Sequence, residues 1–254
     1  MLRIGSYNIH GCVGTDSRYD LGRVADVIRE LGCDTVGLQE VDGRLDGEAP
    51  GALPTAFQQL QSLAGATGMT PIAVFTHSAT PPRIRKTNAL LTAREVRNVR
   101  SHDLTFVGRE PRSALDVELA VAGRTVRVIV THLGLSTHER RFQAKRLIEV
   151  LRAIPDEQAV VLVGDINEWW PAGKPLRWLH EMLGEQPGVG SFPVWAPLLA
   201  LDRIWSRPHG ALHGFQVHRS EIARMASDHF PVKGAVALGF EPEWRVRRGR
   251  YSGA

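Results

Sequence analysis

The feature that most constrains the fold of this chain is a set of short, apolar, β-rich runs that each stop at a polar residue. In Thr125–Thr131 the valines alternate with other residues, and His132 continues their spacing. Because successive side chains of a strand point to opposite faces, His132 is predicted to point inward at the end of its strand. The polar residues that follow such runs are Asn8, Glu40, His132, Asp165 and Asn167.

Helical patterns separate the strand-like runs. Asp20 can cap a helix whose apolar residues have helical spacing and which Gly32 closes. The segment Ser136–Glu139 has the pattern of a capping box and predicts the start of another helix, and a further helix is predicted over Ala52–Ala64. Strand runs with helices between them indicate an α/β (α+β) fold in which two sheets pack face to face with helices outside.

If the strand ends meet, their polar side chains line one cleft. A buried strand over Thr35–Leu38 is predicted to deliver Glu40 at its end. Asp165 and Asn167 are two residues apart, so in extended backbone they face the same side. The cleft would then hold three carboxylates, two amides and two histidines, including Asp228 and His229, which precede the last strand. Hard oxygen ligands with room for water suit Mg²⁺ or Mn²⁺.

Length and charge set the wider limits. The 254 residues suit one large domain, expected over residues 1–240 with a basic tail over 241–254, and the segments 77–88 and 184–197 are predicted surface loops. The net charge of +4 favours polyanionic partners. The tail is equally compatible with a phosphate-binding patch or a solvated terminus. Its arginines are Arg245, Arg247, Arg248 and Arg250.

Location is predicted from what the sequence does not contain. No apolar run approaches the ~20 residues of a membrane-spanning helix, and the start of the chain has no secretory-signal pattern. A cytoplasmic protein is therefore expected. The two cysteines, Cys12 and Cys33, are too few for a disulfide framework and are expected to be reduced.

Taken in order, six short motifs resemble those of the endonuclease/exonuclease/phosphatase superfamily. The resemblance spans Asn8 to His229 and implies a four-layer α-β-β-α sandwich of two mixed sheets flanked by helices, with one catalytic domain over residues 1–240. The motifs are Tyr7-Asn8-Ile9, Leu38-Gln39-Glu40-Val41, Thr131-His132-Leu133, Gly164-Asp165-Ile166-Asn167, Leu201-Asp202-Arg203-Ile204 and Ser227-Asp228-His229.

The resemblance also implies roles for single residues in a divalent-metal-dependent phosphodiester hydrolase. Glu40 corresponds to the main metal ligand, with Asn8 beside it and Asp228 as a further ligand or supporting group. Asp165 would orient or deprotonate the attacking water. Asn167 would hold a phosphate oxygen or the water, and Asp202 would orient His229. His229 would contact the phosphate or act as base, and His132 would stabilise charge or help the leaving group. Asn88 and Arg112 would contact phosphate. For Arg112 an ordinary surface arginine is an equal alternative.

Departures from the family pattern bear on the substrate. His10 stands where abasic-site endonucleases carry Asp, and His132 where they usually carry Tyr, which argues against that branch. Thr87 replaces the usual Gly before Asn88. No aromatic-rich insertion is visible that would dock on a membrane, so nucleic acid ranks first as substrate, a small phosphoester second and a lipid headgroup third. A catalytically silent phosphate-binding module is the alternative from another class.

Overall fold

The computed structural model describes residues 1–42, 56–74 and 86–238. Two β-sheets face each other within these residues, with strand orders β10-β11-β1-β2-β4-β3 and β5-β6-β7-β8-β9. The strands are β1 Leu2–Asn8, β2 Thr35–Asp42, β3 Thr70–Ala73, β4 Lys86–Thr92, β5 Glu95–Asp103, β6 Ser113–Val121, β7 Arg124–His132, β8 Ala159–Asp165, β9 Asp202–Arg207, β10 Leu212–Val217 and β11 Val232–Val236. The helices are α1 Leu21–Leu31, α2 Ala56–Thr67, α3 Thr137–Arg152, α4 Lys174–Leu183 and α5 Glu221–Ala226.

Three apolar clusters confirm the predicted four layers. One lies between the sheets and joins residues such as Ile4 of the first sheet to Val128 and Val163 of the second. A second covers the outer face of the first sheet with α1, α2 and α5. The third covers the outer face of the second sheet with α3 and α4. Both sheets mix parallel and antiparallel pairs, as expected.

The predicted helix ends are confirmed where the structure describes them. The Asp20 carboxylate accepts from the backbone of Arg23, and Gly32 ends α1 at a φ of +61°, a left-handed conformation that glycine adopts without strain. The Ser136 hydroxyl caps α3 through the backbone of Glu139. Helix α2 starts at Ala56, and the residues 52–55 predicted to precede it lie outside the described part of the chain.

Two other predictions fall partly or wholly outside the described residues. Residues 77–85 of the predicted 77–88 loop and the tail with its four arginines lie outside the described part of the chain. The loop prediction is wrong at its end, because β4 begins at Lys86. Among the residues that the structure does describe, no helix is both long and apolar enough to cross a membrane.

Candidate active site

The polar residues predicted at strand ends meet at one end of the space between the sheets. Asn8 continues the inward face of β1 that begins with Leu2 and Ile4, and Asp165 continues that of β8. His132 and Asp202 lie opposite Asp165 on its two neighbouring strands. The inward face of β7 is apolar along the strand and becomes polar at His132, which confirms the predicted orientation of His132.

Gly164 allows this close convergence. A Cβ atom at this position would lie 2.0 Å from the carbonyl oxygen of Thr131 on β7. No other residue fits there without moving a strand, which explains a glycine directly before Asp165. The expectation of extended backbone beyond Asp165 is wrong: Asn167 has a φ of +52°, and its N–H donates to the Asp165 carboxylate at 2.9 Å. This turn still brings Asn167 beside His132.

Asp165 is the centre of the cluster and is almost fully buried. Its Oδ2 accepts from Asn8 Nδ2 at 3.0 Å and lies 3.6 Å from His132 Nε2 and 3.7 Å from His229 Nε2. Burial raises the pKa of Asp165 to about 6, although the nearby charge of His229 opposes the shift. A carboxylate with a pKa this close to neutrality can accept a proton and release it again.

His229 is held by Asp202 on its far side. Its Nδ1 lies 2.9 Å from Asp202 Oδ2, the oxygen that also accepts from the Ser191 hydroxyl at 2.6 Å. The ring of Phe192 packs against the imidazole with centroids 4.6 Å apart. Burial opposes a charge on His229, but Asp202 and Asp165 outweigh it and raise the pKa to about 10. His229 is therefore an imidazolium at neutral pH, with Nε2–H directed towards Asp165.

His132 has the opposite protonation state. Burial and the positive charge of Arg112 hold its pKa well below the usual value. Arg112 Nη1 lies 3.2 Å from His132 Nδ1, and both Arg112 and the Asn167 amide approach the ring with donor groups, which suits a neutral imidazole. The Arg112 side chain also pairs with Glu110 and is 9% exposed, so the alternative of an ordinary surface arginine is wrong. Asn167 Nδ2 lies 3.0 Å from His132 Nε2 and donates to the Leu133 carbonyl.

Glu40 reaches the cleft through a β-bulge that the sequence did not reveal. Strand β2 does not end at Leu38 but continues to Asp42, and its register against β4 shifts between Leu38 and Val41. Without the extra residue, Glu40 would share the face of Leu38, which packs under the helices. Its φ of +58° is a left-handed conformation that costs a non-glycine residue about 1–3 kcal/mol, which the surrounding strands must sustain.

The surroundings of Glu40 fit a divalent cation. The carboxylate forms an ion pair with the Lys86 ammonium. Burial works against its charge, but Lys86, Asn8 and His10 outweigh that effect and lower the pKa. Glu40 therefore stays ionised in a partly dry site, next to the amide of Asn8, and such oxygen donors match Mg²⁺ or Mn²⁺.

A second acidic group within the described residues has spacing compatible with an ion. One ligand atom each from Asp165, Asp202 and His229 lie within 4.8 Å of one another. A histidine binds a metal ion only in its neutral form, so an ion at this group would have to displace the proton of His229. The sequence assigned the metal to Glu40 and Asn8 instead, and that assignment stays a prediction.

The remaining predicted residues have weaker links to the centre. Asp228 accepts from the Ser227 hydroxyl at 3.4 Å, and its carboxylate lies 3.9 Å from His10 Nδ1. Asn88 is buried, and its amide donates to the Ser113 carbonyl at 2.8 Å, which ties β4 to the start of β6. Asn88 therefore has one amide proton left for a phosphate oxygen.

Sequence reasoning missed three residues that shape the site. Ser191 and Phe192 hold Asp202 and His229 from a segment that was interpreted only as a surface loop. A lone Ser-Phe pair in a glycine- and proline-rich stretch carries no detectable signal of this role. Lys86 was also missed, because only the bulge brings Glu40 within its reach.

Comparisons with known proteins agree with this fold. Residues 5–229 match the model of the endonuclease/exonuclease/phosphatase family. The protein YbhP of Escherichia coli K12 is 28% identical over 250 residues, which cover 93% of this chain and 96% of YbhP. An endonuclease/exonuclease/phosphatase structure from Beutenbergia cavernae superposes with a TM-score of 0.73 at 25% identity, covering 94% of this chain and 72% of that one. A mannosyl-6-phosphatase from Bacteroides thetaiotaomicron has a TM-score of 0.64 at 17% identity, covers 93% and 100% of the two chains, and shares the fold.

Proposed function

Because the chain belongs to the endonuclease/exonuclease/phosphatase family, we propose that it is a divalent-metal-dependent hydrolase of phosphodiesters. Members of this family are hydrolytic phosphoesterases. The observation that carries the proposal is the pair of histidines beside Asp165, one charged and one neutral. Titratable groups whose pKa values are pushed apart mark the acid and the base of a reaction.

Asp165 is the base that activates water in this mechanism. Its Oδ2 faces both histidines at more than hydrogen-bond distance. Asn8 and the N–H of Asn167 fix the orientation of the carboxylate. A water between Asp165 and the phosphate would give its proton to Oδ2 while its oxygen forms the new bond to phosphorus.

The histidines stabilise the charge that develops on the phosphoryl oxygens. Nε2 of neutral His132 and Nε2–H of charged His229 both face Asp165 in the cleft, and the imidazolium of His229 is a donor to an anion in this water-poor site. As the bond to the leaving oxygen breaks, His229 supplies the proton that the alcohol needs, and the other product is a phosphomonoester. Asp202 and Ser191 keep the imidazolium in the correct orientation.

Positive charge near the phosphate supports the same reaction. Arg112, which lies beside His132, and the buried Asn88 would contact non-bridging oxygens, as the family resemblance implies. Glu40 and Asn8 would hold the metal ion, with Asp228 at a greater remove, and the ion would polarise a phosphoryl oxygen when bound. Lys86 balances the charge of Glu40.

The substrate class stays a proposal with three candidates, which are nucleic acid, a small phosphoester and a phospholipid headgroup. Nucleic acid was expected from the net charge of +4, which includes tail arginines outside the described residues. A phospholipid headgroup ranked last in the sequence because no apolar surface was visible. Exposed apolar side chains on loops next to the site favour the lipid candidate.

Turnover of a soluble diester tests the proposed activity. We expect hydrolysis of bis-p-nitrophenyl phosphate with Mg²⁺ or Mn²⁺, loss of activity with a chelator, and slower hydrolysis of the mononitrophenyl ester. Binding of phosphate without turnover of any ester would instead identify a silent binding module. Turnover that resists chelation would contradict the metal requirement.

A further inference from the structure

Large apolar side chains are exposed on four loops around the cleft, which we call the apolar rim. They are Val107 at 92%, Leu135 at 77%, Trp169 at 53%, Trp170 at 56%, Trp195 at 79% and Leu198 at 83% exposure. Single exposed apolar residues are ordinary on protein surfaces, but a set gathered around one site marks an interaction surface.

Each loop of the rim is tied at its base to a residue of the site. Arg112 ends the loop that carries Val107, and Leu135 follows His132 by three positions. The two tryptophans of the third loop directly follow Asn167 and Glu168. The Glu168 carboxylate pairs with Arg140, and the Arg140 side chain also donates to the Leu135 carbonyl. The second and third loops are therefore linked to each other as well as to the cleft.

The fourth loop lies directly against the catalytic cluster. Ser191 and Phe192 bond to Leu199 across its base, and the same two residues hold Asp202 and His229. The N–H of Val194 donates to the Asp228 carbonyl at 3.0 Å, and Val194 itself is buried. Trp195 and Leu198 project from a support that the site holds rigidly.

The charge pattern indicates what the apolar rim contacts. Residues 186–201 contain no charged side chain, and neither do residues 169–173. Exposed cations lie at the margins of the rim. The backbone N–H of Arg109 donates to the Phe106 carbonyl in the loop that carries Val107, and Lys174 follows a turn in which Gly173 N–H donates to the Trp170 carbonyl. The Arg219 side chain donates to the Gly190 carbonyl. Apolar tips with cations at their base match a layer whose interior is apolar and whose surface is anionic.

We infer that the apolar rim docks on anionic phospholipid surfaces, so that the cleft acts on phosphodiesters of lipid headgroups. Tryptophan favours the boundary between water and hydrocarbon, and leucine inserts below it. A nucleic acid could stack bases on the tryptophans of the rim, but it would also need cations along its phosphates, and the six rim side chains carry no charge. The inference rests on the proposed function for its chemistry, but the docking can be measured without catalysis.

Vesicle binding by the full chain tests the inference. We expect the protein to float with vesicles of phosphatidylcholine and phosphatidylglycerol, with a blue shift of tryptophan fluorescence, and to bind pure phosphatidylcholine more weakly. Trp195→Ser with Leu198→Ser should lower the partition coefficient about a hundredfold, because each of the two large apolar side chains returned to water loses roughly tenfold. The ratio of kcat/KM on vesicles to kcat/KM on bis-p-nitrophenyl phosphate should fall with it.

Phe57→Ser is the matched control, because Phe57 is 58% exposed on α2 and outside the four loops, and it should leave the partition coefficient unchanged. Failure to bind anionic vesicles, or binding that the Trp195/Leu198 variant retains in full, would overturn the inference. So would a dimer in light scattering that this variant converts to a monomer. Turnover of the soluble ester without vesicle binding removes only the inference. Vesicle binding without turnover of any ester removes the proposed function and leaves the docking surface.

Discussion

Two buried clusters on the second sheet use the same residue types for different ends. On the inner face, Asp165 lies between His132 and His229 and accepts hydrogen bonds from neutral amide groups. On the outer face, Asp116 of β6 accepts from Arg127 through both oxygens and from His102 at 2.9 Å. Both carboxylates are almost fully buried, yet burial dominates in the first and raises its pKa, whereas Arg127 and His102 outweigh burial in the second and lower it.

The difference lies in the permanence of the opposing charge. A guanidinium does not lose its proton in a protein, so Asp116 has a fixed bidentate partner and no capacity left for chemistry. The nearest cation to Asp165 is an imidazolium that can itself transfer a proton. An aspartate paired with arginine is therefore structural here, and one left among histidines and amides is reactive.

The largest expected effect separates the clusters by turnover. Asp165→Asn and His229→Ala should each lower kcat on a soluble diester by roughly 10²–10⁴, the usual loss for an acid–base or electrostatic group. The double variant should lose less than the product of the two, because both groups act on one transition state. Steady-state kinetics with Mg²⁺ measures all three, and Asp116→Asn serves as the control with near wild-type kcat. Wild-type kcat in either single variant would remove that residue from the mechanism.

The free energy of unfolding should distinguish the two clusters in the opposite way, with the larger loss at Asp116. Asp116→Asn leaves the buried Arg127 without a charged partner and should lower the free energy of unfolding by about 3 kcal/mol. Asp165→Asn should leave it unchanged or raise it, because the raised pKa shows that the fold disfavours this charge. Urea denaturation measures both. Replacing the whole pair by Asp116→Leu with Arg127→Met should restore most of the loss. Equal destabilisation by the two single Asp→Asn variants would erase the distinction between the clusters.

The sequence predicted the inner cluster better than the outer one for a physical reason. Alternation along β7 placed His132 correctly, because a strand with one apolar face fixes the side of every residue. Asp165 was predicted from its position directly after a buried apolar run. The partners of Asp116 depend on register across three strands, which no local pattern encodes. The same limit hid the bulge at Glu40, the turn at Asn167 and the support from Ser191.

The exposed tryptophans were missed on different grounds. Tryptophan is a residue type found in protein cores, and whether Trp169 and Trp195 are buried depends on whether another part of the chain covers them. Only the packed structure shows that none of the described residues does so fully.

Metal binding extends the comparison to a third carboxylate, since Glu40 pairs with an ammonium that an ion can displace. Glu40→Gln should weaken Mg²⁺ binding at least about tenfold, comparable to the loss of other residues that support a metal site. Lys86→Met should strengthen it severalfold, because the ion no longer competes with Lys86. Calorimetric titration without substrate measures both, and circular dichroism checks that the variants fold. Unchanged Mg²⁺ affinity in folded Glu40→Gln would exclude Glu40 as a ligand.

The smallest expected effects are seen in how kcat/KM and stability depend on pH. Because Asp165 acts as a base only when ionised, kcat/KM should rise with pH through about 6. Because His229 must keep its proton, kcat/KM should fall again as the pH rises through about 10.

The stability contribution of Asp165 follows the opposite course: it is present below the unfolded pKa of about 3.9 and is lost as the pH rises through 6. The contribution of Asp116 is present above about 3.9 and is lost only as the pH falls through its lowered pKa.

Asp202→Asn tests which group sets the alkaline limit. Removing this carboxylate takes away the strongest influence that raises the pKa of His229, while burial continues to lower it. The alkaline limb of kcat/KM should therefore move to lower pH by about a unit or more, and the acid limb should move far less. NMR titration of the His229 ring in the metal-free protein gives the same pKa independently of catalysis. Asp116→Asn should move neither limb, since its partners do not belong to the site. An alkaline limb that stays in place in Asp202→Asn would mean that a group other than His229 supplies the proton.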